Sequence, residues 1–381
     1  MMRWHPFGFS PLHARSRGLC ALVLVAFVLV ACRFPEREIT VVKIGLVAPF
    51  EGSFRDIGYD AIYAARLAVR EINRSQGADS WRLELIAYDD RGNPEMAAQA
   101  ARNLVADPGV LAVVGHYRAD TTQAAAPIYA AAGLPFITLG GWGAPAVTNW
   151  HLMPAPDTLL SAMLHFGRGD MDVSPVVWGT PLSNGLSGFS AEAPDRADAV
   201  EREVPLVLSL LPPIPAGERL SQWREEGWVG QVVGDLNFAA SAFATLAGPD
   251  VIGAAFVTPY PFPGDIPDTS GWIIDYEAMG PHVSAPGVYA LPTYEAVYLV
   301  AEALNARAGG QARRGRQADV LATTREELAR AVGQVTRTGW LGPISWDEQH
   351  TWDEPPLYVY RWTEEGPEHV ETLGPRGESQ P

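Results

Sequence analysis

Cysteine is almost missing from this sequence of 381 residues, which contains only Cys20 and Cys32. Cys20 lies in an apolar N-terminal stretch that we expect to be removed, so the mature chain would retain Cys32 alone. A single cysteine cannot form an intrachain disulfide, and it cannot complete a Cys₄ or Cys₂His₂ zinc site. We therefore expect core packing, rather than cross-links or structural zinc, to stabilise the folded chain.

Positive charge is also scarce. The chain has 28 basic and 44 acidic residues, which gives a net charge of −16, and Lys43 is its one lysine. A protein that binds nucleic acid needs a basic surface to displace the counterions of the phosphates. The sequence shows no basic stripe of this kind, so it predicts no nucleic-acid partner.

The sequence has one long apolar run, near the N-terminus: GLCALVLVAFVLVAC, 15 residues between two arginines. It is too short to span a bilayer comfortably and is typical of the apolar region of a signal peptide. Its last four residues, LVAC, resemble the bacterial lipobox, in which the cysteine is acylated and becomes the mature N-terminus. The sequence thus predicts a signal peptide over 1–31, lipid attachment at Cys32 and a linker over 32–40. An ordinary secretory signal with an incidental cysteine is the alternative.

Catalytic signatures are missing as well. The sequence contains no G-x-S-x-G, H-E-x-x-H, Walker A or Rossmann glycine pattern. Asp89 and Asp90 are adjacent at the end of a predicted strand, where neighbouring side chains point to opposite faces. His116, His151 and His165 have no visible catalytic partner in the sequence. We therefore expect no enzymatic activity, metal or cofactor.

Alternating strands and helices fill the first half of the chain. ITVVKIGLVA, WRLELIAYDD, VLAVVGH and PFITLGG predict strands, and PEMAAQAARNLVAD and TTQAAAPIYAAAG predict helices. A further helix follows the first strand, and its spacing predicts one buried face: Ile57, Ala61, Ala64, Ala65, Ala68 and Ile72. This alternation predicts right-handed βαβ units on a parallel sheet.

Three loops of this half follow the carboxyl ends of predicted strands, where parallel sheets bind ligands. They comprise residues 50–56, 116–120 and 140–143. Because these ends share one edge of a sheet, we expect the three loops to converge. The second loop also opens a helix, whose first N–H groups can bind an acceptor atom or an anion.

The second half has a less regular pattern. VSPVVWGT, PLVLSLLPP, GQVVGD, VIGAAFVTPYPF and PLYVYRWTEEG predict strands, and ERLSQWREEGW, PTYEAVYLVAEALNARAG and TREELARAVGQ predict helices. Thr324 precedes the last helix with Glu327 three residues later, a spacing that predicts a capping box.

Six segments together resemble the type I periplasmic solute-binding proteins of ABC importers, of the leucine/isoleucine/valine-binding family. They are KIGLVAPFEGSFRDIG…AARLAVREIN, LELIAYDDRGNPEMAAQAARNLV, VLAVVGHYRADTTQAAAPIYAAAGLPFIT, VIGAAFVTPYPF, YEAVYLVAEALN and TGWLGPISWDEQ…PLYVYRW. The resemblance implies an α/β fold of two Rossmann-like lobes with parallel sheets, joined by three hinge crossovers. It places lobe 1 at 41–153 plus 285–338, lobe 2 at 154–284 plus 339–370, and a disordered tail at 371–381.

The resemblance also implies a ligand between the lobes. Two short hydroxyl residues usually hold the amino acid in this family, and their positions fall here on Ala119 and Trp142. Thr121 or Thr122 would substitute if the loop shifted. The predicted ligand-binding residues are Tyr117, Arg118, Ala119, Gly140, Gly141, Trp142, Asn184, Asp235 and Tyr260.

Several of these side chains also have a structural interpretation. Trp142 would stack on a ligand or pack between the lobes. Arg118 would pair with a ligand carboxylate or bridge to Asp120. Asp235 would face a ligand ammonium group or cap a turn at a strand end.

The second lobe is expected to be short by about one βα unit, with GFSAEAPDRADAVEREVP crossing the gap. We expect a lipid-anchored binding protein on the extracytoplasmic face of a bacterial membrane, delivering an amino acid or a related small polar solute to ABC permease subunits. A branched-chain amino acid, an amide, urea and a short carboxylate are the candidate solutes. A sensory module of the same fold is the main alternative, and a hydrolase acting at the cleft is a more remote one.

Overall fold

The first five strands form one parallel sheet in the order β2-β1-β3-β4-β5. The computed structural model describes residues 41–75, 81–142, 146–169, 175–178, 204–309 and 324–374. The predicted signal peptide, Cys32 and Asn184 lie outside these ranges. In chain order the elements are β1 Val41–Ala48, α1 Arg55–Ser75, β2 Arg82–Asp89, α2 Pro94–Ala106, β3 Val110–Val114, α3 Ala119–Ala131, β4 Phe136–Thr138 and β5 Asn149–His151.

Local sequence explains the first helices. The six residues predicted to form the buried face of α1 are all buried, as their helical spacing requires. At the start of α2, Pro94 takes a position where its missing N–H costs no helical hydrogen bond, and the Asn93 side chain accepts from the Met96 N–H at 2.9 Å.

The chain then builds the second lobe. Its elements are α4 Pro156–Arg168, β6 Val176–Trp178, β7 Leu206–Ser209, α5 Pro213–Glu225, β8 Gln231–Gly234, α6 Ser241–Ala247, β9 Ala255–Thr258 and α7 Ser270–Glu277. Short 3₁₀ helices at Leu236–Ala239 and Gly248–Val251 flank α6, and a third lies at Pro263–Asp265. The segment expected to cross a shortened second lobe falls largely outside the described residues, so that expectation stays a prediction.

The last elements return to both lobes. They are α8 Ala290–Gly309, α9 Arg325–Val332, β10 Arg337–Gly339, β11 Gly342–Ile344, β12 Leu357–Thr363 and β13 Gly366–Leu373. The capping box predicted at Thr324 and Glu327 is present at the start of α9. Helix α8 packs on α1 in the first lobe, and β12 joins the second sheet, whose order is β13-β12-β9-β8-β7-β6.

Two expectations need correction. The second sheet is not wholly parallel, because β12 runs antiparallel to both β9 and β13. The tail predicted as disordered from residue 371 begins too early, since Leu373 still pairs with Leu357 in the β12–β13 hairpin. Backbone hydrogen bonds of this hairpin order a segment whose polar composition favours a loop.

The chain passes between the two sheets three times, at residues 152–155, 278–289 and 345–356. The first and third passages lie side by side: the His151 N–H donates to the His350 carbonyl at 2.8 Å, and the Trp352 N–H donates to the His151 carbonyl at 3.0 Å. The lobe boundary predicted at residue 338 falls inside the β10–β11 hairpin. This hairpin places Leu341 and Ile344 in a hydrophobic cluster that consists mainly of first-lobe residues. Within the described ranges no helix has both the length and the apolar character needed to cross a bilayer.

Candidate ligand site

The loops after β3 and β4 meet at the carboxyl edge of the first sheet. A Cβ added to Gly140 would lie 1.9 Å from the Tyr117 carbonyl carbon, and one added to Gly141 would lie 2.4 Å from the Ala119 Cα. Gly141 also has a φ of +73°, which favours glycine. The structure therefore brings these four predicted residues together, and glycine is required for the two backbones to approach so closely.

Tyr117 points into the first lobe. Its side chain is buried, and its hydroxyl lies 2.8 Å from the Thr293 hydroxyl on α8. Burial raises the pKa of Tyr117. This hydroxyl already has a protein partner, so Tyr117 can offer a ligand only its ring and its backbone groups.

Arg118 lies at the N-terminal end of α3 and remains partly available. Its guanidinium carbon lies 4.0 Å from the centre of the Phe54 ring, and Nη2 donates to Asp120 at 2.9 Å. The Arg118 Nε is buried and has no hydrogen-bond partner among the described residues. The bridge to Asp120 is therefore present, and the Nε donor is left without a partner among the described residues.

Trp142 packs on hydrophobic residues of both lobes. Its Nε1 donates to the Pro154 carbonyl at 2.8 Å, within the first passage between the lobes. Of the two interpretations given above, this arrangement favours packing between the lobes.

Asp235 and Tyr260 lie at the ends of second-lobe strands. Asp235 begins the 3₁₀ helix that follows β8 and accepts hydrogen bonds from the Asn237 N–H at 3.0 Å and its side-chain amide at 3.2 Å. Burial raises the pKa of Asp235 to about 6. Tyr260 is fully buried, and its hydroxyl donates to the Leu152 carbonyl, so it joins the loop after β9 to the first passage.

The hydroxyls considered as substitutes are already used within the first lobe. Thr122 Oγ1 donates to the Gly140 carbonyl at 2.8 Å, and Thr121 Oγ1 donates to the Arg118 carbonyl at 3.1 Å. Both residues are fully buried.

Most of the carboxylates and histidines considered for chemistry have partners within the protein. Asp89 accepts from the Phe50 N–H at 2.8 Å, which fastens the loop after β1. Asp90 pairs with His116 at 2.8 Å inside the core. Burial lowers the pKa of His151 to about 4. No group of three or more potential metal ligands occurs in the described part of the chain.

A cavity of about 990 Å³ opens between the first half of α1, the start of α6 and the second passage. It contains none of the residues predicted as ligand contacts. Its polar lining includes Asp56 and Asp60 of α1, Ser241 of α6 and Tyr289 of the second passage. Two carboxylates spaced i, i+4 on a helix that follows the carboxyl end of β1 are the sequence signal that would have identified this surface.

The charges of Asp235 and Arg118, two of the predicted ligand-binding residues, affect the pKa of Tyr289 in this cavity. Burial is the main cause that raises the pKa of Tyr289, and the charges of Asp56 and Asp235 add to it while Arg118 opposes it. Burial likewise raises the pKa of Asp60 to about 7, although the carboxyl accepts hydrogen bonds from the Gly287 N–H at 3.0 Å and the Tyr289 N–H at 3.4 Å. The arrangement offers acceptors from the first lobe and the second passage, whereas the N–H groups of Ser241, Gly287 and Tyr289 already donate to Asp56 and Asp60.

Residues 41–181 match the periplasmic binding protein family. An amino acid binding protein of Pseudomonas aeruginosa is 26% identical over 364 residues, which cover 86% of this chain and 92% of that protein. The Leu/Ile/Val-binding protein of Escherichia coli strain K12 is 32% identical over 97 residues, 26% of either chain.

A solved structure supports the fold. The leucine binding protein of Thermotoga maritima superposes with a TM-score of 0.72 at 19% identity, covering 88% of this chain and 99% of that one. Together with the sequence relatives it confirms the resemblance inferred from the six segments: the chain has the fold of the type I periplasmic binding proteins and is similar in sequence to amino acid and Leu/Ile/Val-binding proteins.

Proposed function

We propose that this protein is the extracytoplasmic, lipid-anchored substrate-binding protein of an ABC-type importer, and that it binds an amino acid or a related small polar solute between two closing lobes. The observation that carries the proposal is the cleft, which is lined by residues of α1, α6 and the second passage and bridged by the hydrogen bond from the Ser241 N–H to Asp56 at 3.1 Å. A ligand held by both lobes at once favours the closed form. The relation to an amino acid binding protein supports the solute class.

A ligand screen with a structural readout tests the binding step. Thermal denaturation is measured against amino acids, amides, urea and short carboxylates, and a bound ligand raises the free energy of unfolding by RT ln(1 + [L]/Kd), about 2.7 kcal/mol at one hundred times Kd. Small-angle scattering then measures the radius of gyration with and without the ligand. We expect compaction, and a tightly bound ligand that leaves the scattering unchanged would contradict hinge closure.

The loops after β3 and β4, which do not line the cavity, are tested separately as ligand contacts by two substitutions. We expect Arg118→Ala to weaken ligand binding because it removes the guanidinium beside the start of α3, and Trp142→Ala to weaken it because the indole packs on both lobes. Arg102→Ala, an exposed arginine on α2, is the matched control. Undiminished affinity in both variants would show that these two loops do not contact the ligand.

The anchor is tested separately. We expect Cys32→Ser to move the protein from the membrane fraction to the soluble fraction, and mass spectrometry of the N-terminal peptide to show an acylated Cys32 in the unaltered protein. An unmodified N-terminal peptide would contradict the lipoprotein proposal and leave the binding proposal standing.

Transport is the last step to test. Deleting the gene should abolish uptake of the identified solute, and the protein should co-purify with permease subunits. A solute that binds and closes the lobes while its uptake is unaffected would favour the sensory alternative.

A further inference from the structure

Tyr289 contributes a buried side chain to the wall of the cavity. It is 5% exposed, it lines the cavity between α1 and α6, and its hydroxyl has no hydrogen bond to any described residue. The ring itself is held in place, with its centre 5.7 Å from that of Tyr117 and 6.1 Å from that of Tyr260. A hydroxyl held in a fixed position inside the protein is stabilised when a bound molecule completes its hydrogen bonding.

Asp56 lines the same cavity and carries a second unsatisfied atom. One carboxylate oxygen accepts the Ser241 N–H, whereas the other, Oδ1, is buried and has no partner among the described residues. A carboxylate oxygen shielded from water is best satisfied by a charged donor, because a charge-assisted hydrogen bond is the strongest that it can accept.

The charge of the lining favours a cation over an anion. Asp56 and Asp60 line the cavity, where burial raises the pKa of Asp60 to about 7, and the described basic residues of the lining, Arg55 and His282, are both exposed. The Asp60 carboxyl is directed to the backbone N–H groups of Gly287 and Tyr289, so the free acceptor of the pair is that of Asp56.

Aromatic rings complete the lining. Tyr59 and Tyr63 stack with their centres 6.4 Å apart, and Tyr63 meets Tyr276 edge to face at 6.1 Å. All three line the cavity together with Tyr289. The negative face of such rings attracts organic cations, and their apolar area suits an aliphatic body.

We propose that this cavity binds the cationic end of an organic ammonium compound, with Asp56 Oδ1 and the Tyr289 hydroxyl as acceptors and the tyrosine rings around its apolar body. The inference rests on the proposed function, since it assigns a chemical class to the solute of the cleft. The proposed cavity recognises its solute through the ammonium group, and in this it differs from a binding site that depends on holding the ligand's carboxylate.

Three molecules with the same branched body test the inference: 3-methylbutylamine, 3-methyl-1-butanol and 4-methylpentanoate. Calorimetry with the full-length protein measures each Kd. We expect the amine to bind at least about tenfold more tightly than the alcohol or the acid, because only the amine is a charged donor.

Two conservative variants locate the effect. Asp56→Asn keeps an acceptor for the Ser241 N–H while it removes the charge, so we expect the preference for the amine to disappear. Tyr289→Phe keeps the ring and removes the hydroxyl, so we expect weaker amine binding. Glu277→Gln, an exposed carboxylate beside Tyr276, makes the same change of charge as Asp56→Asn and should leave all three affinities unchanged.

The outcomes separate this inference from the proposed function. If the acid or the alcohol binds as tightly as the amine, the inference is overturned while solute binding stands. An amine preference that survives Asp56→Asn, in a variant with an unchanged melting temperature, also overturns it. If none of these molecules and none of the solutes screened above binds, both the inference and the proposed function fail.

Discussion

Asp56 of the first lobe accepts a hydrogen bond from the Ser241 N–H of the second lobe at 3.1 Å. Asp56 lies in the first turn of α1, and Ser241 is the first residue of α6, whose terminal N–H groups have no helical partner. The bond therefore links the two rims of the cleft directly, and it bears on how far the lobes open.

Removing this acceptor should open the unliganded protein. We expect Asp56→Ala to increase the population of open forms, because a hydrogen bond of this kind contributes about 1 kcal/mol and its loss changes the closed-to-open ratio about fivefold. Asp56→Asn keeps the acceptor and is the control. Small-angle scattering measures the effect as a larger radius of gyration, and identical curves for the two variants would show that the bond does not hold the lobes.

Asp235 should make stability depend on pH. Its pKa is raised by burial from 3.8 to about 6, so the unfolded chain loses this proton at lower pH than the native protein. The resulting destabilisation is missing below pH 3.8, develops as the pH rises, and is complete above about pH 6. Asp235→Asn removes it.

The measurement is the free energy of unfolding of Asp235→Asn relative to the unaltered protein at several pH values. We expect a gain of up to about 3 kcal/mol at pH 7.5 that shrinks toward pH 4. Asp268→Asn, which changes an exposed carboxyl, should give a difference that does not vary in this way. A gain that is constant with pH would argue against an uncharged native carboxyl at Asp235.

Tyr260 should contribute to the attachment of the second lobe. Its hydroxyl donates to the Leu152 carbonyl and lies 3.4 Å from the Leu139 carbonyl. Tyr260→Phe leaves a buried carbonyl without its donor, so we expect a loss of about 1–2 kcal/mol in the free energy of unfolding. Tyr59→Phe, at a half-exposed ring, should change it little. Equal effects of the two substitutions on chemical denaturation would contradict this role.

Local patterns predicted much of the first lobe. The buried face of α1 and the Thr324–Glu327 capping box follow from spacing within one helix, and both are present. The contact between the loops after β3 and β4 follows from the common edge of parallel strands. Strand β13 was missed because five of its eight residues are exposed or polar, and its order comes from pairing with β12.

Local sequence patterns could not predict the hydrogen-bond partners of individual polar side chains. The Tyr117 hydroxyl finds Thr293, 176 residues later, and Tyr260 finds a carbonyl 108 residues earlier. Such partners depend on how the lobes pack, and no local spacing encodes them. The same is true of Asp56 and Asp60, whose i, i+4 spacing is visible in the sequence while their position on the cavity depends on α6 and the second passage.

Glu295 provides a test of a buried charge in the first lobe. It is fully buried on α8, where it pairs with Arg337 and accepts the Trp340 N–H at 2.8 Å. Arg337 also pairs with Glu302, and its guanidinium lies 4.2 Å from the centre of the Tyr298 ring. These contacts fasten the segment that leads into the third passage to the helix that packs on α1.

Arg337→Met should therefore be strongly destabilising, because it leaves the buried Glu295 carboxylate without its cation. We expect a loss of about 3–5 kcal/mol, partly recovered when Glu295→Gln is added. Arg307→Met, which breaks the more exposed pair with Glu327, should cost less than about 1 kcal/mol. Urea denaturation of Arg337→Met, Glu295→Gln, the double variant and Arg307→Met measures these effects. Additive losses in the double variant would show that the two side chains do not act as a pair, since only coupled partners compensate for each other's removal.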